Sequence, residues 1–562
     1  MSNKSEKNEM NENEKLNLMN KIDNSRKNRL IILASLGILG LTIRLYFFPY
    51  DVPLFGDAQG YFWYANDMSI LNQFPVGHSL TNNGWPVFLS GIFQVMDTNS
   101  FLDYHNIQRF VGVIFSVITI IPIYYLCSKF FKKSYSILAA SAFIFEPRLI
   151  QNSFSGTPES LYIFLMAMIL VLFMTNNFKK IYFSFALIAL LSLVRYEGFL
   201  LIIPISIVFF LRFRKQKRNL IKFGICILIF SLFLVPMSYL KNETMGQDGV
   251  ISHISAGPKY YQDSINTETS SMIDFLYTGI SNLIKFAGWI QIPYFIMFVP
   301  LGLVLIFRKL DNEKILIISI IITMLIPAFY GYSRGFAETK YLFIIIPSLC
   351  FVSCFAFQFI LDKIPKKEFF FCIILGGIIL SSFIFVELKS IDNLHYQEAF
   401  KILNEIGQKE MKINKDFGTH GGEFMMFNWI ELDNSEKFPI LRNELPPSKI
   451  SYTFQIGHYH EKLEESNSID LDKAVRESSE LYGEINNLEK YFEVLEKQKI
   501  THLILDKYNN VRTTNDELRI QLRDIFLNEN EYPFLIKEYD SKESGYNYHI
   551  KLFKINYKDI DE

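Results

Sequence analysis

Between Leu30 and Leu388, long apolar runs alternate with short charged connectors, and that alternation leaves few folds open. A run of about 20 apolar residues matches the thickness of a bilayer's hydrocarbon core. Eleven runs read as spans: 30–48, 109–128, 135–151, 159–175, 181–194, 199–211, 223–240, 284–307, 315–333, 341–361 and 369–388. The expected fold is a polytopic α-helical membrane protein with its N-terminus inside. Half of the 562 residues are hydrophobic and 54 are Phe, and they concentrate in this stretch. The basic clusters sit beside apolar runs, where topology explains them, so no nucleic-acid partner is indicated. All five cysteines fall inside predicted spans, with neither a disulfide framework nor a zinc spacing.

The run 181–211 is interrupted by Arg195, Tyr196, Glu197 and Gly198. A single helix there would bury an Arg and a Glu near the bilayer centre, which is costly. Two short helices joined by a hairpin put them at an interface. Charge supports the hairpin. With the N-terminus inside, the segments 1–29, 129–134, 176–180, 212–222, 308–314 and 362–368 are cytoplasmic and hold 24 Lys/Arg, whereas the external loop 49–108 holds none. This is the positive-inside pattern, and merging the hairpin would invert it after residue 211.

Three regions follow. Residues 1–29, rich in Asn, Lys and Glu, read as a disordered cytoplasmic tail rather than a cleaved signal. Residues 30–388 form the membrane domain with its long external loop 49–108. An odd span count leaves 389–562 outside as a mixed α/β domain. In it 499–506 (KITHLILD) reads as a buried strand, 546–555 (YNYHIKLFKI) as an alternating strand, and 463–497 as helix.

Two external segments carry candidate chemistry. The loop 49–108 is too long for a simple connector. It contains Phe55-Gly56-Asp57-Ala58-Gln59-Gly60-Tyr61, His78, and an amphipathic stretch 85–96 expected along the interface with Trp85 at headgroup level. The second segment, 333–341 (SRGFAETKY), places Arg334 and Lys340 on the same side. Moving a sugar from a polyprenyl phosphate to a hydroxyl needs a base for the hydroxyl proton. It also needs cations for the departing phosphate. Asp57 can be that base, and Arg334 and Lys340 those cations. Tyr61 and His78 are further candidate substrate contacts. A phosphomonoester already leaves readily, so the scheme requires no cofactor and no metal, while leaving room for Mg or Mn.

These segments resemble the GT-C glycosyltransferases, in particular the dolichyl-phosphate-mannose–protein mannosyltransferase and lipid A aminoarabinose transferase group. The GDAQGY segment is similar to that family's acidic first-loop motif, and the resemblance implies catalytic-base duty for Asp57. Trp85-Pro86 followed by Arg109, the SFSGTPESL element ending in Glu159–Leu161, the LVRYEG corner of Arg195, and KYLFIIIP from Lys340 occur in the family's order, and the resemblance adds Glu159 and Arg195 to the candidate substrate contacts. The resemblance covers roughly 30–388. It implies a polyprenyl- or dolichyl-phosphate sugar donor, a protein, glycan or lipid acceptor on the outer face, and inversion at the anomeric carbon. Two departures stand out: Ala58 occupies the place of a second acid, and Lys340 that of an Arg. A relative in the class, the oligosaccharyltransferase catalytic subunit, carries a Trp-Trp-Asp motif, whereas Trp63, Trp85, Trp289 and Trp429 are never adjacent here.

Each candidate also has a plainer reading. Asp57 fits a turn or helix cap, Glu159 a charge at a helix N-terminus, and His78 a loop histidine. Arg334 and Lys340 fit snorkelling cations. Arg195 and Glu197, two apart, would not face each other on a helix and read as capping the hairpin or bracing the first loop. Glu146 and Arg148 read as a local pair beside the Pro147 bend. Two other functions compete: a transporter or flippase for lipid-linked sugars, and a membrane scaffold with an external binding domain. The first would show internal symmetry, which the chain lacks; the second leaves the cation-free loop unexplained.

Overall fold

The computed structural model describes residues 18–54, 56–75, 82–96, 98, 101–245, 248, 252, 272–407, 487–497, 500–506 and 516–560. The chain forms two compact units. The first holds Met1–Phe48, Ser79–Phe88 and Ile107–Leu388, and the second Pro49–His78, Leu89–Asn106 and Lys389–Glu562.

Helices dominate the first unit, and the chain is a multi-pass membrane protein. Among the described residues, seven helices are long and apolar enough to cross a bilayer: Arg26–Tyr46, Phe101–Ser128, Tyr196–Phe213, Asn219–Glu243, Asn312–Ser333, Thr339–Lys363 and Lys367–Ser390. Glu159–Phe173 and Phe295–Ile306 are apolar but shorter.

Local chemistry explains where helices stop. Lys133–Ile144 and Pro147–Ser153 replace one expected span over 135–151. Pro147 pushes Glu146 into an extended conformation and cannot donate an N–H, so the first helix ends there. Glu146 then caps the second helix, its Oε2 accepting from the Leu149 N–H at 2.7 Å, while Arg148 stands 3.5 Å from Oε1.

At the other expected break, Phe178–Val194 ends on Arg195, whose φ of −148° and ψ of 126° are extended. A 3₁₀ turn, Tyr196–Leu201, leads into Ile202–Phe213. The chain doubles back, so that Phe178 meets Phe213 with ring centroids 5.0 Å apart.

The expected span 284–307 is corrected to two helices, Met272–Trp289 and Phe295–Ile306, because Pro293 falls between them. The first of these packs on the C-terminal part of Asn312–Ser333. Phe275 and Phe286, about 16 Å apart along their helix, meet Phe329 and Tyr332, which are three residues apart. Phe295–Ile306 packs on Ile346–Lys363 nearly backbone to backbone. A Cβ on Gly302 would lie 2.3 Å from the Val352 carbonyl oxygen, so only glycine permits this approach.

The second unit contains an antiparallel sheet of β1 (His502–Asp506), β2 (Leu535–Asp540) and β3 (Ile550–Ile555), in the order β1-β3-β2. Alternation sends Leu503, Leu505, Phe553 and Ile555 to one face, against Tyr491, Leu495, Leu518 and Leu522. Ile504, Ile550 and Leu552 point to the other, where Ala399, Ile402, Leu403 and Ile406 of the helix Lys367–Gly407 cover them together with Val52. Helical spacing puts those four on one stripe. Strands expected over 499–506 and 546–555 correspond to β1 and β3, and β2 was not anticipated. Of the helix expected over 463–497, Leu488–Lys497 is present and 463–486 lies outside the described residues.

A candidate polar site beside the Arg195 corner

The first unit holds a small cavity of about 20 Å³, little more than a water molecule needs, whose polar wall is Glu159, Tyr162, Arg195, Glu197 and Lys340. Met324, Pro327, Ala328, Tyr341 and Ile344 supply the rest. Glu159 opens the helix Glu159–Phe173 directly after Pro158, where a negative charge suits the helix dipole. Arg195 reaches it because the backbone leaves helical geometry at that residue. Its Nη1 lies 2.5 Å from Glu159 Oε1 and its Nη2 3.0 Å from Glu197 Oε1. One guanidinium fork therefore ties two helices together, a geometry Lys could not reproduce. On a helix Arg195 and Glu197 would not face each other; here an extended residue followed by a 3₁₀ turn brings i and i+2 together. Lys340 is paired to Glu338 at 2.7 Å.

Three of the expected substrate contacts, Glu159, Arg195 and Lys340, thus line one cavity. Arg334 caps the helix Asn312–Ser333 and is exposed, its guanidinium 5.7 Å from the Tyr330 ring centre and 5.3 Å from that of Phe336. Asp57 and Tyr61 lie in the second unit. Asp57 is the first residue of Asp57–Leu71 and is exposed, while Tyr61, one turn later, is buried. Gly56 precedes them at a φ of 61°, a conformation that favours glycine and sets the helix start at Asp57. His78 lies outside the described residues.

Two features escaped the sequence reading. Trp85 does not rest at a headgroup surface: it is fully buried, and its indole N–H donates to the Gly156 carbonyl at 3.1 Å. Gln108 donates to the same oxygen at 2.7 Å. Tyr162 was not singled out, although its place three residues after Glu159 puts both on one helix face. No group of three or more His, Cys, Asp or Glu that could hold a metal occurs among the described residues.

Residues 101–239 match the dolichyl-phosphate-mannose-protein mannosyltransferase family. The apo oligosaccharyltransferase of Archaeoglobus fulgidus superposes with a TM-score of 0.52 at 13% identity, over 86% of this chain and 70% of that one. The same enzyme tethered to an acceptor peptide containing the NVT sequon gives 0.51 at 13%, over 85% and 70%. The chain has the GT-C glycosyltransferase fold. No curated protein matches it. The matched segment includes Glu159, Tyr162, Arg195 and Glu197, four members of the cavity's polar wall.

Proposed function

We propose that this chain is a membrane glycosyltransferase that moves a sugar from a polyprenyl- or dolichyl-phosphate carrier to an acceptor hydroxyl on the outer face. The observation that carries this reading is the mannosyltransferase family match over 101–239, on a GT-C fold, across the segment that supplies most of the cavity's polar wall. In the proposed step the acceptor oxygen bonds to the anomeric carbon as the bond from that carbon to the phosphate oxygen breaks. The acceptor proton passes to the Asp57 carboxylate, and the bond electrons leave on the polyprenyl phosphate, with inversion. An exposed carboxylate at a helix start can meet an incoming hydroxyl. Arg334 and Lys340 are the proposed cations for the phosphate; neither role requires a metal ion.

The Lys/Arg bias supports an inside N-terminus and an external 389–562 domain. The acceptor peptide of the archaeal enzyme makes a protein the first acceptor to try, with glycan and lipid next. The absence of adjacent tryptophans argues against the oligosaccharyltransferase reaction itself. The test is to incubate purified full-length protein with a panel of polyprenyl-phosphate sugars and measure release of polyprenyl phosphate. Release from at least one donor is expected; release from none contradicts the reading.

A further inference from the structure

We propose that His105 and Val52 are positioning residues for the proposed base, and that through Val52 the C-terminal sheet domain helps to place Asp57. The inference rests on the glycosyltransferase reading and gives the sheet domain a part in it. It begins with how the chain divides. Asp57, within Pro49–His78, belongs to the same compact unit as the sheet and not to the unit that holds Ile107–Leu388.

The segment leading to Asp57 is pinned at three points. The Tyr50 carbonyl accepts from the Asn106 side chain at 2.9 Å. Val52, 2% exposed, sits in the apolar layer on one face of the sheet, with Ile402, Ile406, Ile504, Ile550 and Leu552. The Leu54 N–H donates to His105 Nδ1 at 2.9 Å, and both residues are buried. Accepting that bond requires a bare Nδ1, so the imidazole is neutral with its proton on Nε2. The same ring also meets the chain beyond Asp57. It stands edge-on to Phe62, with ring centroids 4.5 Å apart. His105 thus holds both flanks of the turn at Gly56, whose φ is 61°. Glycine restricts its own backbone least, so the placement of this turn must come from what holds its flanks. A base has to meet its hydroxyl within hydrogen-bond reach, and a misplacement of about 1 Å can cost about 10²-fold. One flank that keeps this tolerance is packed on the sheet.

The test reads release of polyprenyl phosphate by full-length protein, with donor binding measured separately, in variants of matched thermal stability. His105→Leu keeps bulk but loses the acceptor, and turnover is expected to fall about 10- to 10²-fold. The donor Kd should change less than about twofold. His105→Asn, whose Oδ1 can accept from Leu54, should recover most of the loss. Val52→Ala, which removes two methyl groups from the layer on the sheet, should lower turnover about threefold or more at unchanged donor Kd. In an Asp57→Asn background, followed under single-turnover conditions, neither substitution should lower the residual rate further, because residues that act through one group are not additive. Full additivity there would overturn the proposal. So would a weakened donor Kd at unchanged turnover, or unaltered turnover in both His105→Leu and Val52→Ala. Absence of release by the unaltered protein with every donor would instead overturn the glycosyltransferase reading beneath it.

Discussion

Asp57 and Glu159 each stand as the first residue of a 15-residue helix, yet they occupy opposite physical situations. Asp57 follows a glycine of positive φ and is exposed. Glu159 is buried against Arg195 at 2.5 Å. The same local signature, an acid where a helix begins, therefore marks an exposed residue in one place and half of a buried ion pair in the other. Helix-dipole chemistry accounts for both positions but not for the difference, which comes from an arginine 36 residues further along the chain. A role in proton transfer suits the first, and a role in holding or shaping a pocket the second.

Breaking the buried side of this comparison should have the largest effect on stability. Arg195→Ala leaves Glu159 and Glu197 as uncompensated buried carboxylates, and a loss of about 3–5 kcal/mol is expected. Thermal unfolding of the purified protein measures it; a loss below about 1 kcal/mol would mean that the pair is not buried as described.

Close approach near the same corner predicts the next effect. A Cβ on Gly84 would lie 2.7 Å from the backbone of Leu193 and Val194, so Gly84→Val is expected to cost on the order of 1–3 kcal/mol through overpacking. Gly91, with nothing within 4 Å of its would-be Cβ, provides the control.

On the exposed side, Asp57→Ala should alter stability little, by roughly 0.3–1 kcal/mol through the lost helix-terminus interaction. A larger loss would give Asp57 a structural role and blur the contrast.

The second unit provides a smaller, pH-dependent test. Burial lowers the His549 pKa below its usual 6.5, despite Asp540 at 2.9 Å. The unfolded chain therefore takes up this proton more readily, and the contribution is present above 6.5 and lost as pH falls below it. Burial alone would raise Glu529, but hydrogen bonds from Lys537 and Lys551 outweigh it and hold the carboxyl below its usual 4.5. Its contribution is likewise lost on acidification, from about 4.5 downward. Hydrogen exchange of β2 and β3 is expected to quicken in these two windows. A protection profile flat from pH 7 to 4 would contradict both assignments.

Much of this architecture was legible because it depends on local pattern. Apolar runs and the Lys/Arg bias marked the membrane helices, and the charged interruption at Arg195–Gly198 marked the reversal that the Phe178–Phe213 contact displays. Alternation marked β1 and β3. The misreadings arose where distance along the chain, or a single residue's backbone, decided the outcome. Pro293 broke an otherwise continuous apolar run into two helices. β2, with three of its six residues exposed, lacked the apolar alternation that marks a strand. Trp85 is buried because Gly156 offers it a carbonyl from 71 residues away. The Arg195–Glu197 contact needed an extended residue that no helical periodicity could announce. Of the candidate site, sequence identified three members of the cavity wall but not that Arg195 and Lys340 are each held by carboxylates. That pairing is a property of the folded corner.

The most direct test of the central claim compares release of polyprenyl phosphate by the unaltered protein and by Asp57→Asn, using the best donor of the panel and matched thermal stabilities. The account predicts a fall of roughly 10²–10⁴-fold for a lost general base, with donor binding retained. Release at the unaltered rate by Asp57→Asn would contradict it.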